Sequence, residues 1–480
     1  MHQVKVERFL EDFLNELEAH SVAIFAGAGL SVHAGFVDWK QLLAPLATDL
    51  NLDIEKEEDL VSLAQYHVTT HGNNRSDLSQ RILNEFAQTQ AKQTDNHRIL
   101  TRLPIHTYWT TNYDNLIEHA LSQAGKVVDV KHDVSQLPHS VRNRDAVVYK
   151  MHGDVAHPQT AILCKEDYEQ YHVSHAPFLT ALAGDLISKT FLFLGFSFAD
   201  PNLHYVLSRL RIQYGQHQRR HYCILKRESG RSGDMPGDLE YRKTKQALFV
   251  HDLLRYAIRT VLVDDYDEIT DILRRLERMY KQRTVFVSGA ADDYGPNWPP
   301  DDALRFVRDL GKALIENGHR IVSGLGLGIG AAIIDGALEQ IYHVQKQSLK
   351  DQLILRPFPQ AASARAMWDQ YRQDMLSYAG VALFLFGNKR DAHDVLVHSD
   401  GMEREFEIAQ QNGLLLLPLG ATGSVAKRLW KTVHADLKTF YPNATPQFLE
   451  ALCLLGDESQ PITSYLPIVL EALNEGLSMQ

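Results

Sequence analysis

The stretch Val22–Ser31, VAIFAGAGLS, decides how the first half of the chain folds. Val22 to Ala26 form a short apolar run, the pattern of a strand buried on both faces. The run breaks at Gly27-Ala28-Gly29, just before the hydroxyl of Ser31. A backbone without Cβ atoms lets something approach closely. A strand that ends in such a turn at a helix start also leaves N–H groups open, and with the helix dipole this suits a phosphate. Tight packing of helix on strand would use the same glycines, so both explanations stand on this stretch alone.

Outward from it, short apolar runs alternate with amphipathic stretches, which predicts an α/β architecture. Residues 4–18 read as a helix, with Phe9, Leu10, Phe13, Leu14 and Leu17 on one face. Further strands are expected at 105–111, 146–153, 190–197, 221–226 and 260–265, with helices such as DNLIEHALSQAG and HAPFLTALAGDLIS between them. The polar, glycine-rich run RESGRSGDMPGD at 227–238 reads as a mobile surface excursion. A helix over YDEITDILRRLERMYKQR closes this unit, and TVFVSGA at 284–290 opens a second strand-to-glycine transition. The boundary falls near 280–283, giving domains 1–282 and 283–480 and two doubly wound, Rossmann-like folds.

Composition narrows the class. The chain has 480 residues, 44% hydrophobic and 23% charged, with a formal net charge of −11. That balance argues against a general nucleic-acid binder or an anionic-membrane binder. The cysteines Cys164, Cys223 and Cys453 are too scattered for a disulfide framework or a metal knuckle, which suits a reducing compartment. The N-terminal stretch mixes acids and bases unlike a signal peptide. The longest apolar runs, VALFLFG and GLLLLPLG, are too short to span a bilayer. The expectation is a cytoplasmic protein with no metal and no resident cofactor.

Candidate site residues cluster at the carboxyl ends of the expected strands, where α/β proteins bind ligands. TTNYDNLIE places Asn112 and Asp114 after one strand, YKMHGD places His152 after another, and LGFSFADPNL ends a third with Gly195, Ser197 and Asp200. Each has a plain structural explanation. Asn112 could close an Asx turn, Asp114 and Asp200 could cap helices, and His152 could be a satisfied semi-buried side chain. Four such signals at equivalent positions nevertheless point to one crevice. Histidine titrates close to neutral pH, as a general base must.

In the second unit RIVSGLGLGIG ends a strand and opens a helix, which is the context for phosphate or ribose binding by Gly324, Gly326, Gly328 and Gly330. Ser288 and Gly289 end the strand before it. Gly387-Asn388-Lys389 ends a later strand, and GMEREFEIA presents Glu403, Glu405 and Glu407 on a helix. Arg372 and Lys389 are cations of the kind that match phosphate.

Taken together, the first set resembles the sirtuin family. GAGLS matches its GAG-x-S turn, GFVDWK at 35–40 takes the place of a Gly-x-x-Asp-Phe-Arg loop, TNYD replaces Gln-Asn-x-Asp, HGD supplies the histidine, and GFSFADPN replaces a Gly-Thr-Ser stretch. The resemblance covers about residues 10–270. It implies an NAD⁺ site with Ala26, Gly27, Gly29 and Ser31 around the phosphates, Asp38 over the ribose, and Asn112 and His152 near the nicotinamide ribose. Deacylating sirtuins carry a four-cysteine zinc module, and three scattered cysteines cannot build one. Thr-Asn in place of Gln-Asn is typical of zinc-less bacterial relatives that hydrolyse NAD⁺.

The second unit resembles the SLOG group of Rossmann-like domains, related to the "lonely guy" phosphoribohydrolases. Their Arg-Lys-x-x-Met stretch is YRQDM here, and their catalytic Pro-Gly-Gly-x-Gly-Thr motif is replaced by FGNK. That replacement favours ligand sensing over hydrolysis.

A sirtuin-like domain followed by such a sensor resembles the NADase effectors of Thoeris anti-phage systems. The resemblance implies an NAD⁺ hydrolase activated by a cyclic ADP-ribose isomer that a TIR-domain partner makes. It implies a homo-oligomer, a tetramer, and defence by NAD⁺ depletion. Arg372 and Lys389 would hold the signal's pyrophosphate, and Glu405 of the 403–407 cluster a ribose. The competing readings are a zinc-less protein deacylase or ADP-ribosyltransferase, a non-catalytic nucleotide sensor, and a nucleoside-monophosphate phosphoribohydrolase. An acyl-peptide assay separates the first, and Asn112→Ala would change nothing in the second.

Overall fold

The computed structural model describes residues 3–87, 91–344, 352–359 and 362–479. The chain divides into two compact units between Glu277 and Arg278, inside the helix Asp267–Gln282 rather than just beyond its end. The main sheet of each unit is parallel, and most of its strands are near-continuous apolar runs, as sheets covered on both faces require.

The first unit holds β1 (Val22–Ala26), β2 (Thr107–Thr110), β3 (Val128–Lys131), β4 (Ala146–Lys150), β5 (Thr190–Leu194), β6 (His221–Lys226) and β7 (Ile258–Val263). They pair in the order β3-β4-β2-β1-β5-β6-β7, all parallel. The connections run one way from β1 through β2 and the other way from β5, so the crevice between β1 and β5 is the topological switch point. On one face Phe25, Trp109, Phe178, Leu182, Phe191 and Phe193 form the core. The helix Val6–Glu18 buries Phe9, Leu10, Phe13, Leu14 and Leu17, the expected stripe.

β3 is a strand the apolar pattern does not show. It reads VDVK, and its inward Asp129 and Lys131 are buried as an ion pair at 2.7 Å, with Arg144 also on Asp129. Helices between β1 and β2 build a separate layer, in which Leu42, Leu46, Leu63 and Val68 pack with Tyr113, Val155 and Leu163 from the loops after β2 and β4. The run 227–238, expected as a mobile excursion, is tied down instead. Arg242 pairs with Glu228 at 3.1 Å and with Asp234 at 2.7 Å.

The second unit holds β8 (Thr284–Ala290), β9 (Arg320–Ser323), β10 (Leu353–Leu355), β11 (Val381–Phe386), a hairpin of β12 (Asn388–Arg390) and β13 (Leu396–His398), and β14 (Leu415–Pro418). The main sheet runs β10-β9-β8-β11-β14, parallel throughout, and its switch point lies between β8 and β11. Val285, Val287, Ile321, Leu383 and Leu417 are among its buried core.

Candidate functional sites at the two switch points

At the first switch point the glycine turn is held shut by protein, not left open. A Cβ on Gly27 would lie 2.5 Å from the carbonyl oxygen of Gly195, and one on Gly29 would lie 2.8 Å from its Cα. Gly29 N donates to Gly195 O at 2.9 Å. Both Gly27 and Gly29 are therefore required by close approach of the loop after β1 to the loop after β5. What the turn leaves for a ligand is the rim of a cleft of about 1180 Å³, lined by Gly29, Leu30, Gly195, Ser197 and Asp38 and, on its far side, by Lys226, Arg242, Lys245 and Arg274. These cations, absent from the sequence-derived set, come from the last residue of β6 and from the helices Asp238–Leu253 and Asp267–Gln282, and only the assembled sheet brings them together.

Asn112 is nine-tenths buried and fully committed on its amide nitrogen. Nδ2 donates to Gly27 O at 3.1 Å and to Ser31 Oγ at 3.0 Å. Ser31 Oγ in turn donates to Asp114 Oδ2 at 2.7 Å, and Asp114 Oδ1 accepts from Leu116 N at 3.0 Å. Because Gly27 O can only accept, this chain of donors fixes which end of the amide is nitrogen. Oδ1 is the atom left to accept a hydrogen bond. Asp114 thus orients Ser31 and also accepts from the first N–H of the following helix. Asn112, Ser31, Asp38 and Asp114 line a second cavity of only about 20 Å³, with Trp39, Leu42 and Phe86 among its other walls. That is room on the scale of one water molecule.

His152 lies beneath, fully buried. Its Nε2 is 2.9 Å from Asp200 Oδ2, close enough for an ion pair but without hydrogen-bond alignment, and Nδ1 has no partner. The ring meets Tyr168 edge-on at 5.5 Å. Asp200 also caps the helix Pro201–Tyr214, accepting from Leu203 N at 2.8 Å, so its helix-start role and its histidine contact coexist. Asp38 is a cap too, in a reciprocal box with Gln41. Ala26 is fully buried in β1, with its carbonyl accepting from Thr110 Oγ1 at 3.0 Å.

The second switch point repeats the interlock. Added Cβ atoms on Gly326 and Gly328 would run into the carbonyls of Gly289 and Ala291. Gly289 itself faces Ile329 and Leu385, Gly330 faces Leu325, Gly324 faces the Phe358 ring, and Gly387, with φ +112°, faces Val425. The acidic cluster expected as one helix face is split. Glu403 pairs with Arg428 and Glu407 with Arg404, while Glu405 turns inward and accepts from Ser288 Oγ at 2.5 Å. The i, i+2, i+4 spacing places the middle residue on the opposite side of a helix.

Arg372 is buried with Glu405, its Nε 3.7 Å from Oε1 and without a hydrogen-bond acceptor. Asp369 takes Nη1 at 3.0 Å, and the guanidinium lies over Phe358 and Trp368 at 5.2 and 5.9 Å. Lys389 differs. Its side chain is 42% exposed on the β12 hairpin and pairs with Asp400.

Burial pushes the Glu405 carboxyl up from its ordinary 4.5 to about 6, against the pull of Ser288 and Arg372. The raised value means that the proton stabilises the fold. That stability is present below about 4.5 and is lost as pH rises through 6, costing about 2 kcal/mol at neutral pH. Glu405→Gln is therefore expected to raise the melting temperature by about 4–8 °C at pH 7.5 and to leave it unchanged at pH 4. Thermal unfolding at both pH values checks this, and an equal gain at both would refute it.

Two family models match this chain. Residues 106–250 match a SIR2-like domain. Residues 268–476 match the Sir2- and TIR-associating SLOG family. The chain is 48% identical over 466 residues to the NAD(+) hydrolase ThsA of Bacillus cereus, covering 97% of each chain. It is 46% identical over 467 residues to the NAD(+) hydrolase ThsA of Acinetobacter baumannii, covering 95% of this chain and 96% of that one. A more distant likeness, 27% over 202 residues, covers 40% of this chain and 19% of the defense-associated sirtuin 2 of Bacillus subtilis.

Proposed function

This chain belongs to the family of ThsA NAD(+) hydrolases, and we propose that its hydrolysis of NAD⁺ is switched on by a cyclic ADP-ribose isomer bound to the C-terminal domain. The observation that carries the gating is the mismatch at the first switch point. A cleft of dinucleotide size adjoins an asparagine whose own cavity holds no more than about 20 Å³. On this reading the nicotinamide ribose reaches Asn112 only once the walls of that small cavity, Trp39 and Phe86 among them, give way.

Once it does, the residues suit the reaction. Cleavage of the nicotinamide–ribose bond passes through a cationic ribose. Neutral nicotinamide leaves, water adds at the anomeric carbon, and that water must give up one proton. Asn112 Oδ1 holds the water or a ribose hydroxyl, positioned by Ser31 and Asp114. His152 is the base, with Asp200 stabilising the imidazolium that forms. The pyrophosphate lies along the rim at Gly29, Leu30 and Ser197, and the adenosine reaches toward Lys226 and Arg242.

In the C-terminal domain Arg372 and Lys389 take the signal's pyrophosphate and Glu405 a ribose hydroxyl, with Ser288, Gly289, the loop from Gly324 to Gly330, Gly387 and Glu403 around them. The buried, unsatisfied Nε of Arg372 supports this assignment. A TIR-domain partner as the source of the signal is supported by the description of the matched family, and a defence role by the name of the distant relative. A tetramer and a cytoplasmic location complete the reading. Among the described residues no helix is long and apolar enough to cross a membrane.

The test is NAD⁺ consumption by the purified chain with and without cyclic ADP-ribose isomers. Turnover is expected to rise sharply with one isomer. Arg372→Ala should abolish that rise, because it removes a buried cation. Lys389→Ala should shift the half-activating concentration by about tenfold, as for one half-exposed charged contact. Full activation of Arg372→Ala would place signal recognition elsewhere.

A further inference from the structure

Lys150 ends β4, two residues before His152, and its side chain is 0% exposed. Its Nζ lies 3.1 Å from Tyr113 O, 2.7 Å from Asp114 O and 2.7 Å from Asn115 Oδ1. It also lies 2.5 Å from Asp154 Oδ2 and 3.1 Å from Glu118 Oε1. The first three acceptors belong to the segment that leaves β2 immediately after Asn112. Asp154 belongs to the segment that follows His152, and its other oxygen accepts from Ala156 N at 2.8 Å.

A buried ammonium is a poor way to gain stability. An apolar side chain of similar volume often serves the fold as well or better. Here the charge does something an apolar side chain cannot. Its three protons are directional, and they join two loops that otherwise come from different strands. The carboxylates of Asp154 and Glu118 keep the ammonium charged despite its burial.

We propose that Lys150 is a positioning residue for NAD⁺ hydrolysis, a single buried cation that sets the loop carrying Asn112 against the loop carrying His152. The inference rests on the reading of Asn112 and His152 as the catalytic pair.

The experiment compares Lys150→Met and Lys150→Arg in the full chain, under whichever condition gives the highest wild-type turnover, with Asn112→Ala and His152→Ala alongside. Lys150→Met is expected to lower kcat by about a hundredfold, the effect of roughly 1 Å of misplacement. KM for NAD⁺ should stay within about threefold, because Lys150 does not reach the lining of the large cleft. Lys150→Arg should recover part of kcat, since it restores a cation with several donors.

If Lys150→Met does not fold, Asp154→Asn decides. It keeps the side-chain shape while removing one of the two carboxylate charges beside the ammonium and weakening the tie to the His152 loop, so kcat should fall about tenfold with KM unchanged. Wild-type kcat in Lys150→Met, or in Asp154→Asn where that variant has to decide, overturns the proposal if Asn112→Ala and His152→Ala show their expected loss. So does a loss carried by KM. Wild-type turnover in Asn112→Ala or His152→Ala brings down the catalytic reading itself, and the proposal with it.

Discussion

Asn112→Ala is expected to lower NAD⁺ turnover by roughly 10²–10³-fold, the effect of removing one preorganised polar group at a reacting centre. The side chain is held by Gly27 O and Ser31 Oγ, so it is positioned before substrate arrives and loses no freedom on binding. Alanine leaves Ser31 Oγ still bonded to Asp114 and Thr110 Oγ1 still bonded to the residue-112 amide. The loop should keep its path. Folding and NAD⁺ binding are therefore expected to persist while kcat falls, and single-turnover kinetics beside a binding titration separate the two. A variant with wild-type turnover would remove Asn112 from the reaction. His152→Ala should fall in the same range.

Gly195→Ala should do the opposite, damaging the fold before the chemistry. Gly195 has φ +61°, and a Cβ there would lie 2.2 Å from Leu30 N and 2.6 Å from Gly29 C. The left-handed conformation alone costs about 1–2 kcal/mol for a residue with a side chain. The clash is with backbone on the glycine turn, so relief requires the loops after β1 and β5 to separate. A total of about 3–5 kcal/mol is expected, read as a drop of about 10 °C in melting temperature. Whatever folds should bind NAD⁺ weakly, because the same separation deforms the rim of the cleft. Melting within a degree or two of wild type would show that the interlock is loose.

The strands and the helix stripe are legible because burial on both faces writes long apolar runs into β1, β5, β8 and β11. β3 is not, since its core contact is the Asp129–Lys131 pair and the run is broken by charge. The candidate site positions are legible from strand ends, yet their partners are not. Nothing local links Ser31 to Asp114, His152 to Asp200, or Lys150 to the Asn112 loop, and these contacts exist only once the sheet order is known. The glycines mislead in one respect. Their spacing reads as a phosphate cradle, whereas the atoms that exclude their side chains are carbonyls and Cα atoms of the neighbouring strand end. The helices that bring Trp39 and Phe86 beside Asn112 pack through ordinary leucines, and only the GFVDWK loop marks them in the sequence.

The interlock of the glycine turn with Gly195 also bears on how such chains decay and how they are searched for. The turn is held by architecture, so a lineage that stops consuming dinucleotide still needs Gly27, Gly29 and Gly195 in order to fold. If Asn112 and His152 are the catalytic pair proposed above, they carry no such obligation and drift once selection for turnover lapses. A genome scan keyed to the glycine pattern will therefore gather active enzymes and silent descendants together. A scan that also demands the asparagine and the histidine should return the working ones.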